Sequence, residues 1–277
     1  MNAHATILSV MPGAGLHIRL APSTTTWQCS FPIQRAAMTT AAPPFRSIYR
    51  KLLAAWGPQH WWPARNALEM IVGAILTQNT AWGNVEKAIA RLHRAGALRA
   101  RRLHEAPLSK LAAWIRPAGY YRVKAARLRA FTTMLQRRHG GRLSRLFRRD
   151  TAALREELLA VNGIGPETAD SILLYAARRP VFVVDAYTRR CLERHGWIRV
   201  GAAYDEIAAC FTDCLPRDVA LYNEFHALVV RLGKTFCRTQ PRCAACPLNA
   251  WPRRETAGSR GRCPPARRGH TRGKLAL

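Results

Sequence analysis

Acidic residues are scarce in this sequence. It holds 16 Asp and Glu residues against 44 Lys and Arg residues in 277, a formal net charge of +28. An excess of one sign this large destabilises a compact fold by self-repulsion, so we expect a polyanionic partner to offset it. The imbalance favours nucleic acid, with an anionic membrane surface as the second candidate.

Long apolar runs, a leader segment and alternating patterns are also lacking. No run of 18 or more apolar residues occurs, which argues against a membrane span. The first residues lack the basic start and clean apolar core of a signal peptide, so we expect a cytoplasmic protein that associates with the nucleoid. We also expect it to act as a monomer. No stretch alternates polar and apolar residues long enough for a convincing strand. The predicted fold class is all-α.

The two ends of the chain differ in composition from its middle. Residues 1–43 are rich in Ala, Thr, Ser and Pro without a period, which predicts disorder. Met38 offers an alternative start, so that the first 37 residues would be an extension. Residues 251–277 are rich in Arg, Gly and Pro and predict a flexible basic tail, which either binds phosphate or is simply solvated.

A glycine-rich turn lies between two helical patterns. "LREELLAV" and "PETADSILLYA" flank "NGIG", so Gly163 and Gly165 fall in the turn and Pro166 opens the second helix. Glycines in such a turn permit positive φ and leave backbone amides uncovered at a helix N-terminus, where a phosphate can bind. We assign DNA-backbone contact to both glycines and to Thr168. Taken alone, the same pattern also fits a tight helix joint.

Three further segments accompany this turn in a fixed order. "GAILTQNTAW" comes before it, "VVDAYTRR" with Asp185 follows it, and "CRTQPRCAACPL" begins at Cys237. This order resembles the endonuclease III family of the helix-hairpin-helix–Gly/Pro–Asp superfamily of DNA glycosylases. "GIGPETADSILLYA" and "VVDAYTRR" are most similar to the endonuclease III-related subgroup that includes 3-methyladenine glycosylase III. The resemblance covers about Ile48 to Leu248.

The resemblance implies an architecture and a partner. It implies two helical domains with a DNA-binding cleft between them, and double-stranded DNA with a damaged base as substrate. Residues 61–179 would form a six-helix domain that contains the hairpin. Residues 44–60 together with 180–250 would form a second helical domain that carries the cysteines.

The resemblance also implies roles for side chains at the cleft. Asp185 matches the catalytic aspartate, which stabilises an oxocarbenium-like sugar or activates the attacking water. The alternative for Asp185 is a plain helix N-cap. Gln78 matches the polar residue that enters the duplex when the base is flipped out, and Asn79, Thr80 and Trp82 would line the same edge. The alternative for Gln78 is a polar helix end.

Glu167 departs from the bifunctional members of the family, which have a lysine at the matching position. Since a carboxylate cannot form a Schiff base, we predict a monofunctional glycosylase. Glu167 is equally a favourable acid in the first turn of a helix. Two alternatives stay open: a lyase that uses another amine, such as Lys124 or Lys234, and a non-catalytic DNA-binding protein. The resemblance to the subgroup makes an alkylated purine the first candidate substrate. An oxidised pyrimidine and a mismatched base are the alternatives.

A second turn has the composition of a DNA contact. "PAGYYRVKAARL" combines Gly119, the aromatic Tyr120 and the basic Lys124. Aromatic side chains beside cations suit base stacking and phosphate contact, so we predict that Tyr120 and Lys124 bind DNA. A core aromatic pair with solvated charges is the alternative.

The cysteines near the C-terminus form an incomplete ligand set. Cys237, Cys243 and Cys246 have the spacing C-x5-C-x2-C. The resemblance implies a 4Fe–4S cluster held by four thiolates, but the expected fourth position is Pro252. Cys263 could supply the fourth thiolate by looping back, because loop closure becomes only slowly less favourable with length. Zinc, or no metal, remains open.

Overall fold

The computed structural model describes residues 43–62 and 64–251, and these form an all-helical protein without a strand. The predicted all-α class is confirmed. None of the helices in this part of the chain is long and apolar enough to span a bilayer. The helices are α1 Phe45–Trp56, α2 Ala67–Thr77, α3 Trp82–Arg94, α4 Ala100–Glu105, α5 Leu108–Trp114, α6 Tyr121–His139, α7 Leu143–Leu146, α8 Thr151–Leu159, α9 Pro166–Ser171, α10 Ala186–Arg194, α11 Tyr204–Cys214 and α12 Val219–Thr235.

Helix α2 is the buried centre of the first half of the chain. Asn66 caps its start by accepting a hydrogen bond from the Glu69 backbone N–H at 3.0 Å. Residues from Met70 to Leu76 are buried, as the continuous apolar pattern predicts. The apolar run stops at Thr77, and the helix ends with Gln78 as its C-cap. The first polar side chain after the core therefore emerges at the helix end.

An aromatic cluster holds the segment that leads to Asp185. The Phe182 ring stacks on Phe211 of α11 with 3.6 Å between centroids, and Phe45 of α1 lies 4.1 Å from Phe211. Phe225 of α12 meets the same rings edge-on. The β-branched run "VFVV" is thus an extended buried segment rather than a strand. It fixes the backbone immediately before Asp185.

The packing groups the helices in two sets. Helices α4 and α5 pack on α6, and α2 packs on α3, whereas α1 and α10 both pack on α12. These sets follow the division into 61–179 and 44–60 plus 180–250, which stays a prediction. The disorder and the possible start site predicted before residue 43, and the tail predicted after Trp251, lie outside the described residues.

Arg155 of α8 connects the two sets. Its guanidinium donates to both carboxylate oxygens of Asp170, at 2.7 and 3.2 Å, and to Asp205 of α11 at 2.6 Å. The hydroxyl of Tyr204 accepts a hydrogen bond from the Val184 backbone N–H at 3.3 Å. These bonds fix the helices on either side of the Asp185 segment relative to one another.

Phe211→Ala tests the aromatic cluster. We expect the free energy of unfolding to fall by about 3–5 kcal/mol, because a buried ring is removed and a cavity is left. Urea denaturation measures the change. The matched control is Val200→Ala, since Val200 is 71% exposed and its loss should change stability by less than about 0.5 kcal/mol. Similar losses for the two variants would contradict this account of the core.

Candidate active site and nucleic-acid interface

The glycine turn joins α8 to α9, and its two glycines serve different purposes. Gly163 has φ +85°, and a Cβ there would lie 2.3 Å from Cγ of Arg127. Both the left-handed backbone and the close approach of Arg127 therefore require glycine at this position. Gly165 has φ −92° and is the N-cap of α9. Gly165 does not use the positive φ that glycine permits, and a Cβ there would meet nothing within 4 Å.

Gln78 connects the end of α2 to this turn. Its Nε2 donates to the Gly163 carbonyl at 3.0 Å and to the Thr168 hydroxyl at 2.9 Å. Its Oε1 accepts a hydrogen bond from Arg127. Asn79 follows with a left-handed φ of 52°, which ends the helix and turns the chain. The predicted intercalating residue is thus held by the hairpin in the free protein.

An open groove of about 900 Å³ runs along these residues. Its lining includes six residues to which the sequence assigns a role at the site, together with Arg127 and Tyr204. The six predicted residues are Gln78, Asn79, Gly163, Gly165, Glu167 and Thr168. The turn, the end of α2 and the first turn of α9 therefore share one surface.

Asp185 is the N-cap of α10, so the capping alternative correctly describes its geometry. One carboxylate oxygen accepts the Thr188 backbone N–H at 2.7 Å. The other oxygen lies 3.6 Å from Nε2 of His226, and the Asp185 side chain is 11% exposed. Burial raises the pKa of Asp185, but His226 and the Thr188 amide outweigh burial and lower it. The carboxyl is therefore ionised near neutral pH.

Glu167 is the second carboxyl of the site, and its surroundings act in the opposite direction. Burial raises the pKa of Glu167 and the negative charge of Asp185 raises it further, while His226 lowers it. Two neighbouring carboxyls whose pKa values are pushed apart are a common arrangement in acid–base sites. Glu167 is thus an acid that interacts electrostatically with Asp185.

The sequence was also compared with known protein families. The model for the HhH-GPD superfamily of base excision DNA repair proteins matches residues 72–217, which include the hairpin and Asp185. This chain belongs to that superfamily. The match ends before the cysteine loop.

Individual relatives agree with this assignment. A proposed DNA repair glycosylase of Methanocaldococcus jannaschii is 48% identical over 202 residues, which cover 73% of this chain and 92% of that protein. Endonuclease III of Thermotoga maritima is 29% identical over 178 residues, 64% of this chain and 78% of that protein.

Solved structures share the fold. The H. pylori 3-methyladenine DNA glycosylase bound to 1,N6-ethenoadenine superposes with a TM-score of 0.59 and 30% identity, over 69% of this chain and 97% of that one. An endonuclease III–DNA complex superposes with a TM-score of 0.67 at 23% identity, over 77% of this chain and 95% of that one. The second likeness establishes the fold alone.

Beside the two carboxyls this HhH-GPD protein carries an aromatic cluster. The Trp62 ring lies 5.1 Å from Trp82 and 5.3 Å from Tyr175, and Trp61 joins it at 5.6 Å. Gly73 packs against Trp62: a Cβ added at Gly73 would lie 3.5 Å from the Trp62 ring. Of these rings the sequence singles out Trp82 alone, on the same edge as Gln78.

Tyr120 and Lys124 occupy different environments. Tyr120 has φ 44° and is 74% exposed at the start of α6. Lys124 is buried, and its Nζ donates at 2.8 Å to the carbonyls of Leu76 and Ala118. Burial lowers the pKa of Lys124 to about 8. The prediction that Lys124 contacts DNA does not fit this position, because its ammonium satisfies two helix-end carbonyls instead.

Cys237, Cys243 and Cys246 lie on the loop after α12, next to Cys191 of α10. The Cys191 thiol is buried and hydrogen-bonds with that of Cys237. Arg194 lies 3.5 Å from the Cys237 sulfur, and the Leu248 backbone N–H donates to the Cys246 sulfur at 3.4 Å. These contacts suit thiolates, but in the described part of the chain no three His, Cys, Asp or Glu side chains converge as a metal site. Cys263 lies outside the described residues.

A pair of glycine substitutions tests the turn. Gly163→Ala should destabilise the protein by about 1–3 kcal/mol, because alanine is strained at φ +85° and its Cβ would collide with Arg127. Gly165→Ala is the matched control, since its backbone is extended and its Cβ meets open space. Thermal unfolding at fixed pH compares the variants, and equal melting temperatures would refute the different roles assigned to the two glycines.

Proposed function

We propose that the protein is a monofunctional DNA glycosylase that hydrolyses the N-glycosidic bond of a damaged base in duplex DNA. The observation that carries the proposal is the pair of neighbouring carboxyls, Asp185 at the start of α10 and Glu167 in the first turn of α9. The pKa of Asp185 is lowered, so it is ionised, and that of Glu167 is raised. The resemblance implies that Glu167 stands where a lyase needs an amine. Membership of the HhH-GPD superfamily supports the reaction class.

The chemistry assigned to Asp185 follows from its surroundings. As the bond to the base lengthens, the sugar gains positive charge, and a fixed carboxylate beside it stabilises that charge. The Thr188 amide holds one carboxylate oxygen, so the carboxylate is oriented before substrate binds. A water molecule that attacks the sugar from the same face would pass its proton to this carboxylate.

The hairpin and the exposed turn would hold the DNA. Gly163, Gly165 and Thr168 would contact the phosphate backbone, where uncovered amides bind anions without reading the base. Gln78 would release the hairpin and, with Asn79 and Thr80, occupy the space of the flipped nucleotide. Tyr120 would stack on an exposed base, since it is 74% exposed at a turn. The net charge of +28 supports the affinity for a polyanion.

We propose alkylated purine as the substrate class, supported by the aromatic cluster of Trp61, Trp62, Trp82 and Tyr175. Flat purines stack on aromatic faces, and alkylation often gives them a positive charge that aromatic faces and carboxyls both attract. The H. pylori relative binds 1,N6-ethenoadenine, a modified purine. Oxidised pyrimidines and mismatched bases are the competing substrates.

The lyase alternative would need another amine near the sugar. Lys124 is buried against two carbonyls, and Lys234 lies over the Trp61 ring, 5.4 Å from its centroid. Only Lys234 thus lies beside the aromatic cluster. The non-catalytic alternative predicts that the site carboxyls are dispensable.

Asp185→Asn should abolish excision and preserve DNA binding. We expect a loss of at least about a thousandfold in the single-turnover rate on a panel of duplexes, each with one modified base, because the charge that stabilises the sugar is removed. Base release is measured directly, and strand nicking is measured with and without alkali. Wild-type rates in the variant would support the non-catalytic alternative.

Borohydride trapping on the same duplexes and on abasic DNA distinguishes hydrolase from lyase. The wild type should give no covalent adduct and should nick DNA only after alkali. Glu167→Lys is the matched positive variant, because it restores an amine at the lyase position. A wild-type adduct that disappears in Lys234→Met would replace the monofunctional proposal by the lyase alternative.

We further propose that Cys237, Cys243 and Cys246 hold three irons of a 4Fe–4S cluster, whose role would be to shape the loop after α12. Two sulfurs could complete it, namely Cys263 and Cys191, which contacts Cys237. The basic side chain of Arg194 would offset the negative charge of bound thiolates.

Iron analysis and absorbance near 400 nm test the cluster and its fourth ligand. We expect about four irons per chain in anaerobically purified protein and none in Cys243→Ser. Cys263→Ser and Cys191→Ser should separate the two candidates, and Cys210→Ser is a control on a buried cysteine of α11. Colourless wild-type protein with one zinc, or with no metal, would reject the cluster.

A further inference from the structure

A line of three polar side chains runs from the protein interior to the outer oxygen of Asp185. The Tyr175 hydroxyl lies 2.5 Å from Nδ1 of His226. On the other side of the ring, Nε2 of His226 lies 3.6 Å from Oδ2 of Asp185. Tyr175 and His226 are both buried. The three residues come from three separate elements of the fold.

The backbone that carries Tyr175 is irregular at this point. Helix α9 continues into a π-helical turn over Ile172–Ala176, and Tyr175 is in that turn. Wide turns of this kind reorient side chains and are frequent at functional sites. Here the turn directs the Tyr175 hydroxyl to His226 while its ring faces Trp62, 5.3 Å away.

His226 has an unsatisfied nitrogen that faces the site. Its Nε2 is buried without a hydrogen-bond partner, and the distance to Asp185 is longer than a hydrogen bond. Burial and the charges of Asp185 and Glu224 raise the pKa of Tyr175 well above its usual value, so its hydroxyl keeps its proton. When that proton is donated to Nδ1, the ring N–H is at Nε2 and points at Asp185.

We propose that His226, fixed in one tautomer by Tyr175, is a positioning residue that keeps Asp185 charged and turned toward the sugar. The inference rests on the proposed glycosylase function. The Thr188 amide holds one carboxylate oxygen and the Nε2–H of His226 faces the other, so that rotation of the carboxylate is restricted on both sides. A movement of a few tenths of an ångström would turn the 3.6 Å contact into a hydrogen bond.

The consequence for pH dependence follows from the groups around Asp185. His226 faces it from α12, Glu167 from α9 and Tyr175 from the π turn, and Glu224, two residues before His226, acts on Tyr175. Burial opposes ionisation of Asp185, whereas His226 and the Thr188 amide favour it. Without His226 the pKa of Asp185 rises. The acid limb of the excision rate, below which Asp185 is protonated and inactive, should therefore move to higher pH.

Two amide substitutions separate positioning from packing. Glutamine extends its amide to about the location of Nε2, whereas asparagine reaches only to about Nδ1. His226→Asn should shift the acid limb upward by about one pH unit. At a pH below the acid limbs of both wild type and variant, this shift is a tenfold loss of excision rate. His226→Gln should keep the limb within about 0.3 pH unit of the wild type. Tyr175→Phe, which frees the tautomer, should give an intermediate shift.

A second measurement does not depend on excision. Duplexes that contain a cationic pyrrolidine in place of the sugar mimic the charge of the transition state, and a neutral tetrahydrofuran duplex is the reference. Wild type and His226→Gln should prefer the pyrrolidine duplex, and His226→Asn should lose about tenfold of that preference. His139→Asn is the control, since it disrupts another buried His–carboxylate pair, 2.8 Å from Glu157.

The outcomes are distinguishable from failure of the proposed function. If the folded His226→Asn protein, checked by circular dichroism, keeps both the wild-type acid limb and the wild-type duplex preference, the positioning role is overturned. If wild type excises no base from any duplex, the glycosylase proposal fails, and the ratio of the two duplex affinities then decides the role of His226 alone. Equal effects of His226→Asn and His226→Gln would likewise reject positioning in favour of packing.

Discussion

The hydrogen bond from the Thr188 backbone N–H to Asp185 is the interaction on which the site depends. It starts α10 and at the same time fixes the carboxylate at the helix end. Helix α10 packs on α12, which carries His226, and the extended segment before Asp185 is held in the aromatic core through Phe182. A cap is ordinarily a local device that stabilises a helix by about 1 kcal/mol. Here the same carboxylate joins the core segment, the helix start and the proposed catalytic site.

This coupling explains why the capping and catalytic interpretations of Asp185 are compatible. A carboxylate has two oxygens, and the cap uses only one of them. The second oxygen faces His226 in a site where Glu167 contributes a further carboxyl. An ordinary N-cap aspartate whose second oxygen faced water would lack that environment. Asp185 therefore differs from an ordinary cap in its neighbouring residues and not in its capping hydrogen bond.

Local patterns predicted the elements well, because they depend on neighbours in the sequence. The buried helix that ends at Gln78, the glycine at Gly163 and the cap at Asp185 all follow from periodicity and turn chemistry. Predictions that depended on exposure were less reliable. Lys124 has the same composition signal as a surface lysine, yet it caps two buried helix ends. A sequence without a tertiary frame cannot distinguish these environments.

Tertiary contacts account for the residues that pattern reasoning missed. A single histidine in "FHALVV" reads as a core residue, and nothing local connects it to Tyr175, 51 positions earlier. The π turn that brings them together has no distinct signal in "SILLYA". Arg127 belongs to the segment predicted to contact DNA, but its contacts with Gly163 and Gln78 come from the tertiary fold and have no local signal.

Burial of the site carboxyls also resolves an electrostatic conflict. A protein with a net charge of +28 can hold DNA by its basic surface, but an exposed acid at the cleft would repel the phosphates. Asp185 is only 11% exposed, and in the proposed complex this burial would separate its charge from the phosphates of the DNA. The same burial lowers the effective dielectric around it, so the attraction for a cationic sugar grows. A flipped nucleotide would thus bring its sugar to a carboxylate that its phosphates do not approach.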